Sequence, residues 1–228
     1  MTDLTSADTY GIVVPVEWTE VPLEKSAFDT YCQLVLDELR KADGWTKTAE
    51  RRVELLFTQI RNDLLRGRAR MVAALAESSS DENGELVLLV AACAVSKLPA
   101  TELLPSGRPL TVDQMHAALS RQRIENEDEH ITDVEPPTRV DLDAGAAVRL
   151  KRLHTQHIAP GQDLRYYAQS YLVPHDDGRA LCVVQFSTPC LEEAGALDEL
   201  FDAIARTLRI FHPEDPTDFE GAPSEARV

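Results

Sequence analysis

The run Glu85–Val95, ELVLLVAACAV, constrains this chain more than any other stretch. A strand with one wet face alternates apolar and polar residues, because successive side chains point to opposite faces. From Leu86 onward both faces of this run are apolar. It therefore reads as a central strand covered on both sides, which argues against a sheet with one bare face. The expectation is a three-layer sandwich, helix on sheet on helix. A chain of 228 residues with 43% hydrophobic content is long and apolar enough to bury such a core.

The neighbouring segments agree. Phe28, Tyr31, Cys32, Val35, Leu36 and Leu39 recur at helical spacing after Ser26, with Asp29 as a capping-box variant and Asp43-Gly44 as the stop. A second helix is predicted from Thr46 to Arg66, with Ala49, Val53, Leu56, Phe57, Ile60 and Leu64 on one side and Gly67 beyond it. Tyr10–Leu23 is β-branched and aromatic but interrupted by Pro15 and Pro22, the pattern of an edge strand or two short strands. Arg68–Glu77 and the Glu85 run flank Asn83-Gly84, a hairpin signal. Thr111 and Gln114 make a capping box for a short third helix reaching about Gln122. Strands are predicted over 146–154, 164–173 and 179–186, the last two joined by the turn Pro174–Gly178. A final helix is predicted to open with Thr188 as N-cap and Pro189 at its first position, burying Leu197, Leu200, Phe201, Ile204 and Leu208. The fold class is α+β: a mainly antiparallel sheet with helices on both faces. Residues 1–9 read as a flexible N-terminus, 10–211 as a single domain, and 212–228 as a disordered acidic tail.

Charge narrows the partners. Lys and Arg number 23 and Asp and Glu 39, a net charge of −16 that repels nucleic acid and anionic membrane surfaces. The signs are segregated. Residues 125–143 carry eight acids and only Arg139, and read as an exposed acidic loop or edge with short extended pieces. Residues 40–70 hold nine bases and four acids, which weakens the exclusion of nucleic acid on that one helix face. Such segregation also allows self-association, or the acidic loop lying across the second helix. The opening MTDLTSADTY has neither the basic nor the apolar region of a signal peptide, and no apolar run reaches membrane-span length, so a cytoplasmic protein is expected. Arginine outnumbers lysine 18 to 5, the bias of a GC-rich bacterial genome.

Catalytic signatures are missing: no G-x-S-x-G, no G-x-G-x-x-G, no P-loop, no H-E-x-x-H and no zinc-type cluster. No catalytic residue, cofactor or metal is therefore expected. Cys32, Cys93, Cys182 and Cys190 are scattered and read as small packed hydrophobes. His154-x-x-His157 on a strand sends its rings to opposite faces. Asp141-x-Asp143-x-Gly145 opens like a calcium loop, but its twelfth position is Arg152. His175-Asp176-Asp177-Gly178 is a tight turn. Tyr167 and Tyr171 share a strand face with Arg165 and Gln169, the composition both of a binding patch and of a half-buried strand, while Tyr166 faces the other way.

The C-terminal stretch DLRYYAQSYLVPHDDGRALCVVQFSTP, followed by CLEEAGALDELFDAIARTLRIF, resembles the strand–turn–strand–helix ending of the Mog1/PsbP-like fold family, including LpqN-like bacterial lipoproteins. Pro15 and Trp18 are similar to the family's opening strand. The resemblance spans residues 10–23 and 145–211. It implies an α/β/α sandwich around an antiparallel sheet and a binding or accessory role, and carries over no functional residue. The chain departs from the lipoprotein members in lacking a signal peptide and a lipidated N-terminal Cys.

The functional expectation is a non-enzymatic protein–protein interaction or accessory module. Glu125, Glu127, Asp128 and Glu129 would meet a basic protein, with Arg165, Tyr167 and Tyr171 supplying further contact. An immunity or secretion-accessory protein is one specific form. The alternative is a small-molecule binder or an enzyme whose site assembles from distant residues such as His154, Arg165 and Tyr167. A homodimer formed by sheet-edge pairing is the third reading.

Overall fold

The computed structural model describes residues 2–5, 10–65, 69–80, 86–102, 109–121, 125–126, 129–159, 162–175 and 177–211. In chain order the strands and helices are β1 (Thr2–Thr5), β2 (Tyr10–Val14), β3 (Thr19–Glu20), α1 (Lys25–Leu39), α2 (Lys47–Leu65), β4 (Ala69–Ser80), β5 (Leu86–Pro99), α3 (Val112–Leu119), β6 (Glu125–Asn126), β7 (Glu129–Leu142), β8 (Gly145–Ala159), β9 (Gln162–His175), β10 (Ala180–Thr188), α4 (Ala194–Arg206) and β11 (Arg209–Ile210). Eight strands form one antiparallel sheet in the order β3-β4-β5-β10-β9-β8-β7-β6.

The expected α+β sandwich with helices on both faces is what the chain adopts. β5 is central, between β4 and β10, and its two faces feed different cores. Ala91, Cys93 and Val95 pack with Leu197, Phe201 and Ile204 of α4 and with Tyr10, Ile12 and Val14 of β2. Leu88, Val90 and Ala92 pack with Phe28 and Leu39 of α1 and Val53, Leu56 and Ile60 of α2. Further along this second face, Met115 and Leu119 of α3 cover Val148, Leu150 and Leu172. Burial of both faces follows directly from the unbroken apolar run.

Several local expectations shift. Tyr10–Leu23 forms two short strands, one of the two forms expected, but in different sheets: β3 edges the main sheet, while β2 sits in a separate three-stranded sheet between β1 and β11, on the α4 side. Thr2–Thr5, read as flexible, carry the β1 ladder to β2. The first helix is capped by Glu24, whose carboxylate accepts the Ser26 and Ala27 N–H groups, two residues earlier than the Ser26/Asp29 box. The Thr111/Gln114 capping box is present as expected. Thr188 does not cap α4. Its buried hydroxyl donates to the Val90 carbonyl and accepts from the Cys190 N–H, an ST-type turn ending β10 that uses the same residue types as a cap. Of the loop and the edge expected for the acidic stretch, the structure has the edge, in longer strand than short extended pieces: β6 and β7 make the far edge of the sheet, with bulges around Glu135 at Pro136-Pro137. At that edge it cannot lie across α2, which packs over β4 and β5 at the opposite side. The Asn83-Gly84 tip, the Gly67 stop and the 212–228 tail lie outside the described residues.

Candidate functional site

The densest group of polar side chains lies where α4 crosses β7, β8 and β9. Alternation along β9 points Tyr167, Gln169 and Tyr171 at α4, and alternation along β8 does the same for Arg149 and Lys151. On α4, Asp198 and Asp202 are four residues apart and so share a face with the buried Phe201 flank. The result is a closed set of bonds. The Tyr167 hydroxyl donates to Asp198 at 2.6 Å, and Lys151 Nζ reaches the other oxygen of Asp198 at 2.5 Å. Asp202 accepts from Arg149 Nη1 at 2.9 Å, from Gln169 Nε2 at 2.8 Å, and from the Tyr171 hydroxyl. Glu135 of β7 closes the ring on Arg149 at 2.9 Å. Gln169 is fully buried and Tyr171 is 1% exposed, so these bonds replace water rather than compete with it.

Burial, followed by the adjoining Asp198 and Asp202 carboxylates, pushes both tyrosine hydroxyls well above their ordinary range. They are held as donors to those carboxylates. The cluster's chemistry is that of a clamp holding α4 to the sheet.

The residues singled out in the sequence divide accordingly. Tyr167 and Tyr171 are core residues facing α4, not an open patch, and Arg165 on the same strand face is exposed. His154 lies on the opposite face, stacked on Tyr166 with ring centroids 4.6 Å apart. His154, Arg165 and Tyr167 therefore do not converge. His175 is buried, with its Nε2 3.1 Å from the Tyr10 hydroxyl, while Asp177 (φ 54°) and Gly178 (φ 75°) form the tight turn. Asp141 and Asp143 sit at the β7–β8 hairpin, where Leu142 pairs with Gly145. Among the described residues no His, Cys, Asp or Glu group is arranged to hold a metal ion.

Glu125 and Glu129 are strand residues of the β6–β7 hairpin, and Glu127 and Asp128 lie outside the described residues. Two further acids of the same stretch are already paired. Asp133 accepts from Arg152 Nε at 2.8 Å, and Glu135 faces Arg149 and Lys151. The Arg149-x-Lys151-Arg152 run on β8 is the feature the sequence reading passed over. Its signal was available as bases alternating with Val148 and Leu150, matched by the i,i+4 carboxylates Asp198 and Asp202.

A separate cleft of about 390 Å³ opens between α1 and α2, with Phe28, Cys32, Leu36 and Phe57 as its apolar wall. Asp29 and Arg61 are ion-paired at its rim. Burial raises the Cys32 thiol to about 11, so at neutral pH it lines the cleft as an apolar group. Among the described residues no helix is long and apolar enough to cross a membrane.

No protein-family model matches the chain, and no curated protein does. Among solved structures, it is similar to the crystal structure of LpqN, involved in cell envelope biogenesis of Mycobacterium tuberculosis, at 10% identity over 92% of this chain and 90% of that chain, with a TM-score of 0.43. That is a distant fold relationship, too loose to carry a partner or a site residue from one chain to the other.

Proposed function

We propose that this chain is a non-enzymatic protein–protein interaction module of the cytoplasm, and that its Glu125–Glu129 hairpin meets a basic protein. One observation carries the reading: register divides the acids of this stretch. Asp133 and Glu135 lie opposite Arg152 and Lys151 and are neutralised within the sheet. Glu129 lies opposite Gln156, and Glu125 opposite His130, at the outermost hairpin of the sheet. By register neither acid faces a Lys or Arg across the ladder, and a negatively charged edge of this composition steers a basic partner toward it. The Mog1/PsbP-like resemblance of the sequence, a group known mainly for non-catalytic partners, supports the same reading, as do tyrosines held as buried donors. An immunity or secretion-accessory protein masking a basic effector is one form of such a module.

The test is capture from a lysate of the source organism by the full chain and by a variant carrying Glu125→Gln, Glu127→Gln, Asp128→Asn and Glu129→Gln. The expected result is loss of basic proteins from the variant's bound fraction. Identical recovery by both chains would overturn the acidic-hairpin reading.

A second reading, a small-molecule binder, is supported by the α1–α2 cleft, whose volume falls in the range of ligand pockets. Native mass spectrometry of the full chain is expected to show a bound species that Thr58→Trp, filling the cleft, removes. A ligand-free spectrum for the unsubstituted chain counts against it.

A further inference from the structure

The two ends of the eight-stranded sheet are built differently. At the β7 end, Pro136, Pro137, two bulges and the charges of Asp133, Glu135 and Arg139 interrupt the edge, and His116 Nε2 lies 2.9 Å from the Pro137 carbonyl. These are the devices that keep an edge strand from pairing with another chain. At the other end, β3 covers β4 only at Ala73 and Ala74, and the Val21 N–H adds one bond to the Val72 carbonyl. Among the described residues no strand pairs with the outer side of Leu75–Ser80. This stretch contains no proline, keeps a regular register with β5, and carries one charge, Glu77.

The direction of the free backbone groups follows from the bond to Val72. Its carbonyl points away from β5, so alternation turns the N–H and C=O of Ala76, Ser78 and Ser80 outward as well. We propose that this edge pairs with the same edge of a second copy, β4 against β4 in antiparallel register about a two-fold axis at Ser78. The parity is self-consistent. Ser78 meets Ser78 of the second copy and Ala76 meets its Ser80, so every outward donor finds an outward acceptor, giving six interchain bonds. Charge fits too: Glu77 falls opposite Ser79, and no like charges face each other. Moving the two-fold to Glu77 would keep the outward groups paired but set Glu77 directly against Glu77 of the second copy, a like-charge pair, so Ser78 is the centre.

The helix above the edge contributes a second contact. Asp29, Gln33 and Leu36 of α1 line the cleft toward α2. Tyr31 is on the opposite flank, bonded at 2.7 Å to Thr19 of the edge strand β3. Leu34, three residues on, shares that flank and is 65% exposed. Two copies joined at β4 bring two such flanks alongside the seam, where the exposed leucines gain cover. The sheet edge itself is small, so the dimer is concentration-dependent rather than obligate. It uses the end of the sheet opposite the acidic hairpin and stands independently of what that hairpin binds.

Sedimentation equilibrium of the full chain from about 10 μM to about 1 mM reads the association directly. A monomer–dimer equilibrium is expected. Ser78→Pro removes an outward donor without touching the bonds to β5, and Leu34→Lys removes the flanking contact; each is expected to weaken dimerisation about tenfold or more. In the unsubstituted chain the Ser78 amide exchanges more slowly as concentration rises, while the Ser79 amide, facing β5, is protected throughout. A monomer over the whole range overturns the proposal, as does dimerisation unchanged by both substitutions. Should Ser78→Pro lose the sheet's circular dichroism, Ser78→Lys, which sets two like charges across the axis, is the deciding variant and is read the same way.

Discussion

Replacing Asp202 with alanine measures how firmly the polar cluster holds α4. Asp202 accepts from Arg149, Gln169 and Tyr171. Its removal leaves the Tyr171 hydroxyl, on a residue 1% exposed, without its carboxylate acceptor. A buried donor stranded in this way costs about 1–3 kcal/mol. Arg149 keeps Glu135, and Asp202 is itself 27% exposed, so water replaces part of that ion pair and its loss adds only about 0.5–1 kcal/mol. The expected destabilisation is therefore about 1.5–4 kcal/mol. Tyr171→Phe instead deletes one donor and leaves Asp202 with Arg149 and Gln169, at about 0.5–1.5 kcal/mol. Because both substitutions remove the same bond, the double variant should fall short of the sum by about 1 kcal/mol. Urea unfolding at unchanged slope gives all three values. If Asp202→Ala lies within about 0.5 kcal/mol of the parent, or the pair is strictly additive, the cluster is not the clamp described here.

Three further outcomes follow from other parts of the molecule. Gly178→Ala should lose about 1–3 kcal/mol by the same assay, because φ is +75° and a Cβ would stand 2.6 Å from the Leu110 backbone; Asp177→Gly, at φ 54°, should be neutral or slightly stabilising. Glu24 is held at about 2 by the Ser26 hydroxyl and the Ser26 and Ala27 N–H groups. Its folded pKa lies below the unfolded value, so its contribution to α1 is complete above about pH 4.5 and is lost as pH falls toward 2; amide exchange in the first turn of α1 should report this, and Glu24→Gln should abolish the pH dependence. Burial raises Cys32 to about 11 and Cys182 to about 12, and also raises Cys93 and Cys190. A thiol reagent at pH 8 should label the folded chain slowly and all four cysteines at once on unfolding; fast stoichiometric labelling of the native protein contradicts the burial.

Much of the fold was legible because local patterns carry it. Helix periodicity placed α1 and α2 to within a few residues, since a buried stripe must recur at helical spacing whatever it packs on. Thr111 and Gln114 announced α3 because a capping box satisfies its own backbone within four residues. Thr188 misled because a threonine before a proline suits an ST turn as well as an N-cap, and only the Val90 carbonyl across the sheet decides between them. The tyrosines of β9 were ambiguous for a related reason. Alternation showed that Tyr167 and Tyr171 share a face, yet whether that face meets water or α4 depends on a helix about 30 residues away in the chain.

By itself the amino-acid sequence determined the element types and, through Leu86–Val95, the need for cover on both sides of the sheet, because burial of a side chain is written in its own polarity and spacing. Strand order was decided only in three dimensions. It sets β7 beside β8, so that Asp133 and Glu135 are neutralised by Arg152 and Lys151 while Glu125 and Glu129 fall in register with His130 and Gln156, and it sets Asp198 and Asp202 over the β9 tyrosines. Coulomb energy depends on distance through space, and residues far apart in the chain acquire that distance only when the strands pair.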